Sequence, residues 1–205
     1  MLLQTPVDFS ADTGLFCLLF AGRAQENNEW AKHTAFSYAN HAPLLFRLPG
    51  QRGGAVVTGH QGHAEFVDIF PTLTELAGLA PPSLCATPAE SVAAPSCTEG
   101  VSLAATVRDP SNLAKRAAFY QWPKGKAMGY SIVTTVDGWS TRYTEWVLYD
   151  NKAHAGIWNN VSGVELYNKS ADPEENVNLA ENPKLAGAKA RLSTQLHAGW
   201  RAMLP

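Results

Sequence analysis

Three runs rich in aromatic and β-branched residues constrain the fold of this chain more than any other feature. They occupy residues 117–122, 129–136 and 141–149, and turn-forming residues separate them at 123–125 and 137–138. Residues of these types favour strands, and short turns between such runs indicate neighbouring antiparallel strands. The sequence therefore predicts an antiparallel sheet in the second half of the chain, to which residues 165–167 add a short piece.

The end of the chain, residues 183–203, has the pattern of a helix with one apolar face. Leu185, Ala188, Leu192 and Leu196 recur at spacings of three and four residues. This spacing places their side chains on one side of an α-helix. We expect this terminal helix to pack on the predicted sheet and to form a small α+β subdomain with it.

The first half of the chain has the character of an α/β domain. Residues 43–48 predict a buried strand, and residues 50–54 predict the turn after it. Residues 63–78 have helical spacing, with Gly78 as the C-cap and with Pro71 predicting a kink or the end of a first helical turn. Residues 1–28 show no sustained period, so we expect them to be disordered or mispredicted.

Two cysteines lie in one loop rich in proline, serine and alanine. A bridge between Cys85 and Cys97 would restrain this loop, and the alternative is a pair of free thiols on a flexible surface. Sequons for N-glycosylation begin at Asn160 and Asn168. Because disulfides and N-glycans share the secretory route, the sequence favours the disulfide and a lysosomal or secreted protein.

The overall charge excludes some classes of partner. The 205 residues include 16 Lys and Arg against 18 Asp and Glu, and basic residues do not cluster in runs, so we expect no nucleic-acid partner. The longest apolar stretch, residues 15–21, is far too short to span a bilayer, so we expect no membrane partner. No basic residue precedes that stretch, so it is not a convincing signal peptide.

A polar and aromatic cluster precedes the predicted buried strand. It consists of Glu29, Trp30, Lys32 and His33. Enzymes of the α/β class often keep functional groups beside strand ends, because the strand holds the loop rigidly. An ordinary surface loop is the alternative for this cluster.

Four stretches, in the same order along the chain, resemble the sulfatase family, and within it the iduronate 2-sulfatase type. The stretches read NEWAKHTAFSYANHAPLLFRLPG, HAEFVDIFPTLTELAGLAPP, MGYSIVTTVDGWSTRYTEWV and GVELYNKSADPEENVNLAENP. The resemblance implies an alkaline-phosphatase-like α/β sulfatase fold. We expect residues 29–110 to form the end of the large domain and residues 111–205 to form the subdomain with the antiparallel sheet and the terminal helix.

The resemblance also implies an activity. Sulfatases hydrolyse sulfate esters, here on a glycosaminoglycan-type sugar, with a bound calcium ion and a cysteine converted to formylglycine in a Cys-x-Pro-x-Arg motif. Cys17, Cys85 and Cys97 are not followed by the required Pro and Arg, and the sequence contains no Asp-Asp pair. We therefore expect a C-terminal portion of such an enzyme, which binds no calcium and is inactive alone.

The resemblance assigns roles to three lysines. It implies that Lys32 is the catalytic residue that contacts the substrate sulfate. His33 and Trp30 are candidates for contact with the substrate, with a structural or surface histidine and a packed aromatic residue as the alternatives. The resemblance also implies that Lys124 and Lys126 approach the sugar, although a solvated Lys-Gly-Lys turn explains them equally well. The rival hypothesis is a non-enzymatic module that binds sulfated carbohydrate through these lysines.

Overall fold

Four antiparallel strands form the centre of the computed structural model, which describes residues 34–50, 62–93 and 97–204. The strands follow one another in the order β1-β2-β3-β4 and are β1 Ala117–Lys124, β2 Ala127–Val136, β3 Trp139–Asp150 and β4 Ala155–Asn168. The predicted antiparallel sheet is confirmed. The last strand is much longer than the short piece predicted at residues 165–167.

The turn between β2 and β3 shows why the chain reverses where the sequence predicted. Asp137 and Gly138 have φ angles of 51° and 83°, so both residues adopt left-handed conformations. Hairpins with two such residues match the twist of the flanking strands, and Asp-Gly is one of the preferred pairs. This turn fixes the register of β2 against β3, in which Val136 pairs with Trp139.

The terminal helix covers one face of the sheet. This helix, Ala186–Ala198, buries Ala188, Leu192 and Leu196, as the spacing predicted. The three residues pack against a cluster on the strands that includes Ile132 and Leu166. Because Leu192 is fully buried, its replacement by alanine should cost about 2–5 kcal/mol. We call this side of the sheet the helix face.

Shorter helices precede the sheet. They are α1 Ser37–Asn40, α2 Ile69–Leu76, α3 Pro88–Ala93 and α4 Ala104–Arg108, so the terminal helix is α5. A 3-10 turn, Phe66–Asp68, leads directly into α2, and Pro71 lies in the first turn of α2, where its missing N–H is not needed. Gly78, with a φ of 77°, follows the end of α2 as predicted.

The buried strand predicted at residues 43–48 is wrong. These residues have no regular secondary structure, and Leu45 is 54% exposed. A strand needs a neighbour for its backbone hydrogen bonds, and all four strands among the described residues belong to the sheet at 117–168. Among the described residues, this apolar run therefore has no neighbouring strand with which its backbone could form hydrogen bonds.

The predicted disulfide between Cys85 and Cys97 is confirmed, with the two Cα atoms 5.1 Å apart. The end of the chain fastens the same loop. Arg201 donates hydrogen bonds to the carbonyl of Cys85 at 3.3 Å, to Ser91 Oγ at 2.5 Å and to Glu99 Oε1 at 3.0 Å. The loop is thus tied both covalently and through the turn that follows α5. Among the described residues, no helix is long and apolar enough to cross a membrane.

Candidate functional site

The sheet face opposite α5 carries polar side chains and is also buried. Ser131, Arg142, Thr144 and Glu165 share this face, because Ser131 and Glu165 both pair with Thr144 across the strands. We call it the polar face. Burying these polar side chains costs free energy unless each one has a hydrogen-bond partner. The partners on this face therefore determine which groups stay charged and which segments they hold.

Arg142 lies at the centre of the polar face with no solvent exposure. Its Nε donates to Glu175 at 3.0 Å, and its Nη1 donates to Glu165 at 2.8 Å. Burial alone would lower the pKa of Arg142, but nearby Tyr120, Glu175 and Glu165 raise it above its ordinary value. The guanidinium therefore stays charged inside the protein.

Two aromatic rings enclose the same guanidinium. Its central carbon lies 4.9 Å from the centre of the Phe36 ring and 4.5 Å from that of Tyr167. Desolvated contacts of this kind between a cation and a ring are attractive, by about 2 kcal/mol in favourable cases. Phe36 belongs to the segment before the sheet, so Arg142 joins that segment to the strands.

Glu175 makes the second connection to this segment. Its carboxylate accepts hydrogen bonds from the backbone N–H of Ser37 at 2.9 Å and from Ser37 Oγ at 2.5 Å. Nearby, the hydroxyl of Tyr120 donates to the carbonyl of Ala35 at 2.7 Å. Residues 34–40 are therefore held on the polar face, and in the sequence they follow directly after the predicted site residues Lys32 and His33.

The predicted site residues Trp30, Lys32 and His33 lie outside the described residues. The structure places Lys124 at the end of β1 and Lys126 just before β2, both exposed at the tip of a hairpin. Gly125 between them has a φ of 63°, the left-handed conformation that this tight turn requires.

Lys124 shares a sheet face with the anchoring residue Tyr120. The two positions are four residues apart on β1, and side chains of a strand alternate between faces. Lys124 therefore lies toward the polar face, on the same strand that holds residues 34–40. Four residues of strand, about 13 Å, separate Lys124 from the anchoring contact of Tyr120.

Two tryptophans of β3, Trp139 and Trp146, are packed in the structure. Trp146 donates from Nε1 to Glu165 at 2.7 Å, and its ring covers Gly129, where an added Cβ would lie 2.8 Å from the ring. Trp139 packs against the core beneath α5. Both residues therefore serve the packing of the sheet.

Basic side chains gather beside the polar face. Lys169 follows β4 and is half-buried, and burial lowers its pKa. Burial and then Lys169 and Lys115 lower the pKa of His63 to about 4, and Nε2 of this histidine is buried without a hydrogen-bond partner among the described residues. His63 is therefore neutral at physiological pH, and the local positive charge is carried by the lysines.

Sequence reasoning missed Arg142, Glu175 and Lys169. The sequence does contain an indication that Arg142 is important, because a charged residue lies inside a run that predicts a buried strand. A charge in such a place needs a partner of opposite sign. Nothing in the pattern identified Glu175 as that partner, since 33 residues separate the two.

The two predicted glycosylation residues differ in their surroundings. Asn160 is exposed on β4. Asn168 is half-buried, and its Oδ1 accepts hydrogen bonds from the backbone N–H groups of Ser170 and Ala171 at 3.0 and 3.1 Å. Modification of either residue stays a prediction.

The calcium ion that the resemblance implies finds no site in the described part of the chain. Across residues 34–50, 62–93 and 97–204, no group of three or more His, Cys, Asp or Glu side chains could hold a metal ion. The carboxylates of the polar face are engaged by Arg142. The described residues therefore do not fit a calcium site.

Comparison with known proteins supports the sequence resemblance. No family model matches the chain. The human (Homo sapiens) iduronate 2-sulfatase is 28% identical over 201 residues, which cover 75% of this chain and 36% of that protein. The mouse (Mus musculus) iduronate 2-sulfatase is 28% identical over 209 residues, covering 79% of this chain and 37% of that protein. The chain thus spans about a third of the length of these relatives.

Two solved structures have the same fold as this chain. One is a protein in complex with its substrate D-glucosamine-2-N,6-O-disulfate, with a TM-score of 0.56 and 19% identity over 84% of this chain and 31% of that one. The other is a putative sulfatase from Bacteroides thetaiotaomicron, with a TM-score of 0.50 and 22% identity over 80% of this chain and 33% of that one. The chain therefore has a sulfatase fold, and its resemblance to the iduronate 2-sulfatase type of the sulfatase family is confirmed.

Proposed function

We propose that this chain supplies the C-terminal portion of a sulfatase of the iduronate 2-sulfatase type and that its 205 residues do not hydrolyse sulfate esters alone. The observation that carries the proposal concerns the cysteines. Cys85 and Cys97 are joined to each other, and Cys17 is followed by Leu-Leu-Phe instead of the residues of the formylglycine motif. A sulfatase nucleophile is thus missing, and no positioning group can replace it.

The substrate class of the proposed function is a sulfated sugar of the glycosaminoglycan type. Support comes from the similarity to iduronate 2-sulfatases and from the disulfated glucosamine bound to one structural neighbour. The disulfide between Cys85 and Cys97 and the sequons at Asn160 and Asn168 support a lysosomal or secreted setting.

In this proposal the polar face has a positioning role. Arg142 and Glu175 fix residues 34–40, and the predicted sulfate contact Lys32 precedes that segment by two residues. A lysine ammonium is a compact charge with three donors, so it suits an oxygen-rich sulfate whose negative charge grows during ester cleavage.

The test of hydrolysis uses the whole 205-residue chain. It is incubated with a sulfated aryl ester and with D-glucosamine-2-N,6-O-disulfate, and sulfate release is measured beside a Lys32→Ala variant. We expect no release above the buffer rate for either chain. Turnover that the substitution at Lys32 abolishes would overturn the proposal.

A second candidate function is binding of sulfated carbohydrate without hydrolysis. The β1–β2 hairpin favours it, because Lys124 and Lys126 are both exposed and only one residue apart at the tip. Two cations so close together can contact one sulfate or carboxylate group. Contacts between exposed charges are each worth only about 0–1 kcal/mol, so such binding should be weak and sensitive to salt.

The binding test compares a sulfated oligosaccharide with its desulfated form by calorimetry at low and high salt. We expect the sulfated form alone to bind at low salt, with a loss of roughly twofold to fivefold for Lys124→Ala or Lys126→Ala. Lys184→Ala is the matched control, since Lys184 is exposed just before α5. An equal loss for the control, or absence of binding at low salt, would contradict this function.

A further inference from the structure

A groove of about 610 Å³ opens on the helix face of the sheet. Strands β1, β2 and β4 and the end of α5 line it, chiefly through Phe119, Gln121, Tyr130, Trp158, His197 and Trp200. The volume lies within the range of small-molecule sites, about 300–1,000 Å³. Five of these six side chains carry an aromatic ring, so the groove offers broad and flat surfaces.

Trp158 is an exposed platform inside the groove. Its side chain lies on β4, and the residue is 38% exposed. The ring centre is 4.7 Å from that of Tyr130 and 4.6 Å from that of His197. These two ring contacts restrain the indole, and the residue stays partly exposed, so a ligand that stacks on the exposed part loses little binding free energy to ordering the side chain.

A buried carboxylate holds His197 in position. Oε2 of Glu145 lies 2.8 Å from Nε2 of His197, while its Oε1 accepts hydrogen bonds from Tyr143 and Ser193, each at 2.7 Å. Glu145 is 4% exposed. At His197, the wall of the groove is therefore anchored to a buried side chain of the core.

The groove presents no uncompensated charge among its described lining residues. Glu65 pairs with Lys115, and Glu99 pairs with Arg201 at 3.0 Å. His197 faces Glu145. An anionic ligand would thus find carboxylates and no cation without a partner, so a sulfated sugar does not suit this groove.

A neutral hydrogen-bonding group lies beside the aromatic platform. Gln121 is exposed and pairs across the strands with Tyr130, which places both side chains on the helix face. A glutamine amide both donates and accepts. The groove thus combines flat apolar surfaces with a polar edge that carries no net charge.

We propose that this groove binds an uncharged sugar ring. The C–H faces of a pyranose would lie against Trp158, and its hydroxyl groups would exchange hydrogen bonds with Gln121. The site goes beyond the proposed function, because it lies on the helix face, away from the side toward which Lys124 points, and it recognises no sulfate.

The test follows the indole N–H signals of the ¹⁵N-labelled full chain by NMR. The probes are glucose, galactose, mannose, N-acetylglucosamine, cellobiose and lactose, each up to about 50 mM, since single neutral sugars bind with Kd values on the order of 1–10 mM. We expect at least one sugar to shift the Trp158 signal. Trp158→Ala should abolish the shifts of the other lining residues, and Gln121→Ala should weaken binding roughly threefold to tenfold.

Control variants separate this site from the hairpin lysines. Lys124→Ala and added salt should leave neutral-sugar binding unchanged, and Trp158→Ala should leave any binding of sulfated sugar unchanged. Trp158→Phe keeps an aromatic ring and should retain part of the binding, even if the alanine variant folds poorly.

Three results would overturn the inference. In the first, none of the six sugars shifts the Trp158 signal. In the second, the shifts persist when Trp158 is replaced. In the third, light scattering shows a dimer that Trp158→Ala converts to a monomer, because a second copy of the chain would then occupy the groove.

Discussion

Replacing Glu175 by glutamine tests whether the polar face is held together by its buried charges. Glu175 is 2% exposed and faces the fully buried Arg142. The substitution keeps the size of the side chain and removes its charge. It also turns one acceptor oxygen into a donor NH₂, which must then face the donors of Arg142 or Ser37.

The expected loss of stability is large. The Glu175 carboxylate accepts hydrogen bonds from Nε of Arg142 at 3.0 Å and from the N–H and Oγ of Ser37 at 2.9 and 2.5 Å. Breaking a buried ion pair by removing one partner costs about 3–5 kcal/mol. Because Arg142 keeps Glu165 as a second partner, we expect a loss of about 3 kcal/mol, near the lower end.

The assay is urea unfolding followed by tryptophan fluorescence, with the free energy of unfolding taken from the midpoint and slope. Asp137→Asn is the matched control, since it removes a carboxylate from the pair with Arg191, whose side chains are 59% and 52% exposed. An exposed pair is worth about 0–1 kcal/mol. If Glu175→Gln cost no more than this control, the reasoning about buried charge on the polar face would be refuted.

Three further predictions concern packing, protonation and the disulfide. Gly129→Ala should cost about 1–3 kcal/mol, because its Cβ would lie 2.8 Å from the Trp146 ring, whereas Gly163→Ala, with Trp146 3.7 Å away, should be nearly neutral. Thermal unfolding of the two variants checks this, and equal losses would contradict it. The free energy of unfolding should fall as the pH drops from about 6.5 to 4, because burial and nearby lysines lower the pKa of His63 to about 4 and the unfolded chain therefore binds the proton first. His63→Gln should flatten that dependence in urea titrations at several pH values, and an unchanged slope would argue against it. Cys85→Ser should cost roughly 2–3 kcal/mol, since the bridge closes a loop with a sequence separation of 12. A reductant should then destabilise the native chain and leave the variant unaffected.

Local sequence signals predicted most of the sheet and the terminal helix. The Asp-Gly turn at Asp137 and the aromatic runs beside it specify a hairpin on their own. The first part of β4 was missed because residues 155–163 contain two glycines, two asparagines and a serine, which are weak strand formers. These residues form a strand because they pair with β3, and no pattern within residues 155–163 indicates that pairing.

The candidate site was harder to predict than the fold, because its contacts join distant positions. Residues 34–40 meet Glu175 across a separation of 138 residues through Ser37. Strand alternation shows which face a residue occupies, but it does not show what packs against that face. The same limit explains the wrong strand at residues 43–48, since an apolar run cannot reveal whether a neighbouring strand exists.

The sequence predicts a boundary between two parts of the chain at residues 110 and 111. Buried ion pairs and hydrogen bonds nevertheless join residues on the two sides of this boundary. Asp68 is fully buried before α2, and its two oxygens lie 2.9 and 2.8 Å from Nζ of Lys115. The Glu65 carboxylate accepts a hydrogen bond from the backbone N–H of Phe119 at 2.8 Å. The Glu175 carboxylate accepts one from the backbone N–H of Ser37. Either part alone would lose these ion pairs and hydrogen bonds. The segments before the sheet are therefore joined to the later residues at two places, beside β1 through Glu65 and Asp68 and on the polar face through Ser37.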